Sequence, residues 1–372
     1  MRMKRYGAVA VALAGLLTLA ACGSNSSTSS STSSSGSGGG KNGTVGVILP
    51  ETATSARWEG FDRPMLTKAL NAAGFDADVE NAQGDVQKFS SLADGMIAKG
   101  VKVLIMASIN SEVGNAVANK AHKAGIPTID YDRLNLGGSS DYYVSFDNVK
   151  VGALQGQALA DALKSKPGAQ VIEIEGAPTD NNATLFHQGQ EQVLKPLYDA
   201  GTLKLVSSQA IDGWDNQTGG QIFEQLLTGN GNKVDGVVAA NDGLAGAIIT
   251  VLKKDGLNGK VPVTGQDATT DGLKSVLRGD QYMTVFKPIQ DEANAAAKLA
   301  VDLAKGDKAA ADAVATATSQ DPKGNRTVKS VLLDPHTVTR DQVKTVVDQG
   351  YVTSKDLCSG DVASVCTQLG IS

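Results

Sequence analysis

Residues 103–133 read VLIMASINSEVGNAVANKAHKAGIPTIDYDR, and this stretch decides the fold. Val103–Met106 is a continuous apolar run, Val113–Ala124 places small and apolar residues at helical spacing, Gly125 closes that helix, and a second strand-like pair comes at Thr128–Ile129. A short run without polar alternation suits a strand buried on both faces, and parallel pairing needs a helical crossover between two such strands. The unit recurs in both directions. Strand-like runs stand at Val45–Leu49, Tyr142–Val144, Val171–Ile174, Leu203–Val206, Gly236–Ala239, Val261–Val263 and Met283–Phe286, with helical stretches such as Arg63–Ala73, Phe89–Lys99 and Val151–Leu163 between them. Gly74, Gly100, Gly125, Gly201 and Gly256 fall where helices end before the next strand. The fold class is α/β, built of doubly wound parallel sheets.

The alternation passes through two comparable halves that meet near Asp147-Asn148. After Lys287-Pro288 it becomes irregular, with a long Ala-rich helix over Asp291–Lys305, a polar loop near Ser319–Arg326 and a late strand at Lys329–Leu333. The length after residue 43 exceeds what one core usually spans, so two lobes are expected. Residues 44–150 with 290–325 are assigned to an N-terminal lobe, and 151–289 with 326–372 to a C-terminal lobe. Several hinge strands between them leave a cleft that can close.

Upstream, Arg2, Lys4 and Arg5 precede an apolar run from Ala8 to Ala21, which reads as a signal peptide over residues 1–21. Leu19-Ala20-Ala21-Cys22 looks like a bacterial lipobox, in which Cys22 takes the lipid; the alternative is an ordinary secretion signal with an incidental cysteine. Residues 22–43 are rich in Ser and Gly, hold no aromatic residue and read as a tether. The expected location is extracytoplasmic, lipid-anchored to the cell membrane, and a Ser-rich tether suits the outer face of a Gram-positive cell. A formal net charge of −5 gives no reason to propose nucleic acid as a partner, and no second apolar stretch is long enough to span a membrane. Cys358 and Cys366 remain as a disulfide or as two free thiols; closing so short a loop contributes about 2–3 kcal/mol in the chain-entropy model.

Ligands of open parallel sheets sit beyond the carboxyl ends of the strands. Just past the strands of this chain stand polar and aromatic residues: Arg57 and Trp58; Asn110; Asp130, Asp132 and Arg133; Asp180, Asn181 and Asn182; Asp212 and Trp214; Asn241 and Asp242; Gln266 and Asp267; and Lys287. Both tryptophans of the chain are in that set. Carboxylates, amides and guanidinium groups match the vicinal hydroxyls of a sugar, and a flat indole matches its C–H faces. Each residue also has a plainer reading. Asp after a strand often caps a helix, as expected for Asp85, and a lone Trp is often core. The set points to a sugar; no single member does.

In order and spacing, Ala56-Arg57-Trp58, Tyr131-Asp132-Arg133, Asp180-Asn181-Asn182-Ala183, Asp212-Gly213-Trp214, Asn241-Asp242, Gly265-Gln266-Asp267-Ala268 and Phe286-Lys287-Pro288 resemble the periplasmic monosaccharide-binding proteins of ABC importers, and among them the D-xylose and multi-sugar binders. The resemblance runs from Thr44 to about Tyr351. It implies a type I solute-binding protein with two α/β lobes, a three-stranded hinge and no catalytic residues. Trp58 and Trp214 are then expected to stack on the sugar, while Arg57, Asp132, Arg133, Asn182, Asn241, Asp267 and Lys287 bond its oxygens. Asp180 either joins them or orients Asn182 or Arg133. The implied partners are a monosaccharide, an ABC permease and its ATPase, with the receptor monomeric and D-xylose the first choice of sugar over glucose, galactose, arabinose or ribose. The Ser/Gly tether and the Cys358/Cys366 tail depart from the family pattern.

Other functions find less support. His122, His187 and His336 lie far apart without ligand spacing, no G-x-S-x-G elbow occurs, and no metal or cofactor is expected. Asp132 and Asp267 as a glycosidase pair lack an acid, because Arg133 and Lys287 keep both ionised. Asp76, Asp78 and Glu80 suggest a calcium loop, but Asn81 and Gln87 stand where glycine and glutamate are needed, so the segment reads as a strand with a polar edge. A sugar-responsive repressor needs a DNA-binding unit where the lipobox stands. A receptor subunit for membrane signalling remains the alternative to import.

Overall fold

A computed structural model describes residues 42–371. The signal peptide, Cys22 and all but the end of the tether lie outside the described residues.

The first lobe alternates strands β1 (Thr44–Leu49), β2 (Asp76–Asn81), β3 (Val103–Met106), β4 (Thr128–Tyr131) and β5 (Tyr142–Phe146) with helices α1 (Arg63–Ala72), α2 (Val86–Lys99) and α3 (Ser111–Lys123). The second begins with α4 (Asn148–Leu163) and runs through β6 (Ala169–Glu175), α5 (Asn181–Asp199), β7 (Leu203–Ala210), α6 (Asn216–Gly229), β8 (Gly236–Ala239), α7 (Asp242–Lys254), α8 (Thr270–Arg278) and β9 (Thr284–Phe286). The chain then returns through α9 (Ile289–Ala304), α10 (Lys308–Val314), β10 (Ala317–Asp321) and β11 (Arg326–Leu333) before β12 (His336–Val338).

The first sheet has seven strands in the order β10-β11-β5-β4-β3-β1-β2, all parallel except β10. Alternation along each strand sends side chains to opposite faces. Val45, Val47, Val103 and Ile105 meet Leu66 and Leu70 of α1 and the alanines of α9. Ile48, Leu104 and Met106 meet Phe89 and Met96 of α2 and Val117 of α3. Asp85 caps α2 by accepting from the backbone N–H groups of Gln87 and Lys88, and Gly100, at φ 74, ends it.

The second sheet pairs β7-β6-β8 in parallel. Its Ile172, Ile174 and Val237 face Phe223, Leu244 and Ile248 of α6 and α7, while Val171 and Val238 face Leu159 and Leu194 of α4 and α5. The expected strand at Val261–Val263 is reduced to one bridge, Val237 to Val263. β12 pairs antiparallel with β9.

The chain passes between lobes at Asp147, at Lys287-Pro288 and at Asp334-Pro335, which gives three hinge segments. The lobe boundary expected at 325/326 needs correction. Residues 326–333 belong to the first lobe, not the second: β11 pairs with β5 in the first sheet, Ser330 opposite Tyr143, because a parallel neighbour on that open edge satisfies its backbone groups. The polar stretch at 319–326, expected as a loop, supplies part of the β10–β11 hairpin. The tail after β12 packs Val343, Val346 and Leu357 on Leu273 and Leu277 of α8, where Cys358 and Cys366 are disulfide-bonded.

Candidate functional site

The carboxyl ends of both sheets face one cavity. All ten residues that the resemblance implies for the ligand line it: Arg57, Trp58, Asp132 and Arg133 from the first lobe, Asp180, Asn182, Trp214, Asn241 and Asp267 from the second, and Lys287 from a hinge; Asn110, Asp130, Asn181, Asp212 and Asp242, also picked out just past strands, do not line it. Thr54, Ser55, Phe186 and Gln266 complete the wall. Gln266 is visible in the sequence as a polar residue after a strand; nothing local marks Phe186, in the middle of a helix, or the small Thr54 and Ser55.

Local structure aims these groups. A single π-helical turn, Trp58–Asp62, comes after β1 and carries Trp58 into the cleft. Asp132 (φ 60), Trp214 (φ 58) and Asp267 (φ 95) adopt left-handed backbone that only glycine takes freely, a cost on the order of 1–3 kcal/mol each. Surrounding bonds hold Asp132 there: its carbonyl accepts from Asn182 Nδ2 (2.8 Å), Ser145 Oγ (2.9 Å) and Tyr143 Oη (3.0 Å). Trp214 packs over Gly176, where a Cβ would come within 2.1 Å of the indole. Its Nε1 donates to Asp180 Oδ2 (3.2 Å) and its ring meets Phe186 edge-on at 6.4 Å.

Capping and lining coincide. Asp180 caps α5 through Asn182 N, and Asn241 caps α7 through Leu244 N, yet both face the cavity. Asp180 Oδ2 also lies 3.0 Å from Arg133 Nε, with that N–H not aligned for a hydrogen bond.

The electrostatics centre on Arg57, which is buried. Its fork donates to Asp62 Oδ1 and Oδ2 (2.7 and 3.0 Å), Asp132 Oδ1 (2.6 Å) and Glu292 Oε2 (2.9 Å). Asp62 and Glu292 do not emerge from the sequence, since neither stands just past a strand and Glu292 sits in the Ala-rich α9. Burial pushes the Glu292 carboxyl well above its ordinary range, against the pull of Arg57, and its Oε1 has no hydrogen-bond partner in the protein. Asp132 goes the other way: against the cost of burial, the cations Arg57, Lys287 and Arg133 hold it below the ordinary carboxylate range. Lys287 Nζ lies 2.9 Å from Asp267 Oδ1 and 3.8 Å from Asp132 Oδ1. The guanidinium carbons of Arg57 and Arg133 lie 4.5 and 5.3 Å from the Trp58 ring centroid.

Three buried side-chain atoms in this wall have neither a hydrogen-bond nor an ion-pair partner in the protein: Ser55 Oγ, Trp58 Nε1 and Gln266 Oε1. Buried polar groups are rarely left so, and here donors and acceptors are mixed within one cavity.

Residues 45–308 match the family model described as a periplasmic binding protein domain. The chain belongs to the periplasmic binding protein family. It is 40% identical over 302 residues to the D-xylose-binding periplasmic protein of Escherichia coli (strain K12), covering 81% of this chain and 88% of that protein. It is 37% identical over 332 residues to the multiple sugar-binding periplasmic receptor ChvE of Rhizobium radiobacter, covering 85% and 92%. Among solved structures, a carbohydrate transporter solute-binding protein from Chloroflexus aurantiacus in complex with D-glucose superposes with a TM-score of 0.77 at 33% identity, covering 84% of this chain and 97% of that one. These relatives are binding proteins and not enzymes, and the fold is the type I α/β arrangement of that family. Among the described residues, no helix is long and apolar enough to cross a membrane.

Proposed function

We propose that this protein is the lipid-anchored, extracytoplasmic receptor of a sugar ABC importer, which encloses one monosaccharide between its lobes and delivers it to the permease and its ATPase. The observation that carries the reading is the group of three unpartnered polar atoms in the interlobe cavity, beside the Asp267–Lys287 and Asp180–Arg133 ion pairs. A sugar hydroxyl both donates and accepts, so one polyol satisfies the Ser55 hydroxyl, the Trp58 N–H and the Gln266 oxygen together. Trp58 and Trp214 supply apolar surface for the ring, and Arg57, Asp132, Asn182, Asn241 and Lys287 bond its oxygens, with Asp180 orienting Arg133 and Trp214. Micromolar affinity requires about −8 kcal/mol, within reach of several charge-assisted hydrogen bonds in a closed site.

D-xylose is the expected ligand. The similarity to D-xylose-binding proteins supports it. The protein acts as a monomer, held at the outer face of a Gram-positive membrane through Cys22. A thermal-shift panel of pentoses and hexoses tests the ligand, with D-xylose giving the largest rise in Tm. No shift with any sugar removes the proposal. Loss of the lipid mass on Cys22→Ser tests the anchor.

A further inference from the structure

Two buried carboxylates lie outside the cleft, on the second lobe. Glu173 and Glu175 of β6 point to one face of the sheet, the face that Val171 shares with α4 and α5. Glu173 is 3% exposed and Glu175 6%, and among the described residues neither has a lysine or arginine within ion-pairing distance. The basic group that faces them is His187 of α5, half-buried, whose Nδ1 lies 3.5 Å from Glu175 Oε1 without a hydrogen bond and whose Nε2 lies 3.8 Å from Glu191 Oε1. Two buried negative charges side by side are costly unless a cation compensates both.

A second, independent feature points to a cation. Gln155 spends its amide N–H groups on the carbonyls of Ala239, Ala240 and Gly265 (3.3, 3.1 and 3.1 Å). One end of the Gln190 amide lies 2.9 Å from Gln155 Oε1, and its other end lies 2.7 and 3.1 Å from the two Glu175 oxygens. That amide has one donating end. Whichever way it turns, one contact between two oxygens remains. With the N–H toward Gln155, the Gln190 oxygen joins the Glu175 carboxylate as a further acceptor facing the same space.

We infer that Glu173, Glu175 and His187 form a binding site for a transition-metal dication of the zinc class. One donor atom from each lies within 4.8 Å of the others. Bonds of about 2.0–2.1 Å to a tetrahedral ion place ligands roughly 3.3 Å apart, close to the spacing already present between His187 and Glu175. An imidazole among the donors favours zinc over calcium or magnesium, which prefer all-oxygen shells. Tyr198 Oη donates to Glu173 Oε1 (2.8 Å) and fixes that carboxylate from outside. A cavity lined by His187, Glu175, Thr184 and Ser208 provides the entry path. Glu175 adjoins Gly176, on which Trp214 packs, so the ion braces the strand end that carries one wall of the cleft.

The experiment is calorimetric titration of ZnCl2 into purified protein freed of metal by chelation and dialysis. Binding of one equivalent, weakened at least tenfold in both His187→Ala and Glu175→Gln, is the expected result. The other histidines, His122 and His336, lie elsewhere and are untouched by these variants. No zinc binding, unchanged binding in His187→Ala, or equal binding of MgCl2 overturns the inference; the first of these leaves a proton as the compensating cation. Should a variant fail to fold, Co2+ absorption on the wild-type protein decides: absence of the visible bands of a four-coordinate ion overturns the site.

Discussion

Asn182 Nδ2 donates to the backbone carbonyl of Asp132 at 2.8 Å, and this bond crosses from the second lobe to the first. The same nitrogen lies 3.3 Å from Asp132 Oδ2, while its Oδ1 accepts from Asn148 Nδ2 at 2.8 Å. One side chain thus fixes a left-handed residue of the opposite lobe and a residue at the start of α4. Asn216 Nδ2 makes a second crossing to the Thr54 carbonyl at 3.1 Å. The bonds that join the lobes thus also shape the cavity.

Asn182→Ala removes the crossing bond and leaves buried donors and acceptors unpaired, at about 1–3 kcal/mol. The expected outcome is sugar affinity lower by at least tenfold in calorimetric titration, together with a small-angle scattering profile that shifts less on adding sugar than that of the wild type. An unchanged affinity rules out a role for the crossing bond in closure.

Trp214→Ala and Asp267→Ala each weaken sugar binding at least tenfold while circular dichroism stays native. Trp214 has the larger effect on melting temperature, because removing an indole packed on Gly176 and Phe186 leaves a cavity. Wild-type affinity in both variants refutes the assigned pocket.

Arg57 holds three acids, and its replacement tests whether it is structural as well as ligand-facing. Arg57→Lys cannot reproduce the fork to Asp62 and leaves buried carboxylates unpaired, so a loss of about 3–5 kcal/mol is expected in urea unfolding. Glu292→Gln keeps an oxygen that accepts from Arg57 and removes a charge that burial disfavours, so it is expected to cost less than about 1 kcal/mol. Equal losses in the two variants contradict that reading.

The strand ends are legible in the sequence because period and polarity change together there: Met106 gives way to polar residues at Asn110, Phe286 to Lys287. Position past a strand is not sufficient, since Asn110 caps α3 and Asp130 bonds Asn135 and Ser140 away from the cleft; the ten that the family resemblance names all reach one cavity. Asp62 and Glu292 are not legible, since a buried acid in a helix differs from a solvated one only through the partner that folding brings, here Arg57. The sheet membership of β11 is hidden for a similar reason. A strand with mixed polarity fits either lobe, and the open edge at β5 decides.

The Cys358–Cys366 bridge closes a loop with a sequence separation of 8 in a tail packed on α8, and neither cysteine lines the cleft. Reduction, or Cys358→Ser with Cys366→Ser, is expected to lower unfolding free energy by about 2–3 kcal/mol and to leave sugar affinity within twofold. A tenfold loss of affinity on reduction would instead couple the tail to the site.

Asp242 contributes to the pH dependence, as does Asp130, whose carboxyl burial pushes up to about 6. Burial pushes the Asp242 carboxyl up to about 7, helped by the charge of Asp267 and opposed by bonds from Gln281 Nε2 (2.8 Å), Thr284 Oγ1 (2.8 Å) and the Thr269 backbone N–H (2.9 Å). In the unfolded chain an aspartate titrates near 3.9. Between those values the folded protein binds a proton that the unfolded chain does not, so unfolding releases it and stability falls as pH rises from about 4 to about 7. The total is on the order of a few kcal/mol. Asp242→Asn removes its share of the titration while misplacing one donor against the Thr269 N–H, so it is less stable at pH 5 and its stability changes less with pH. Urea midpoints measured at half-unit steps from pH 4.5 to 7.5 give both slopes, and parallel slopes in wild type and variant exclude Asp242 as a titrating group.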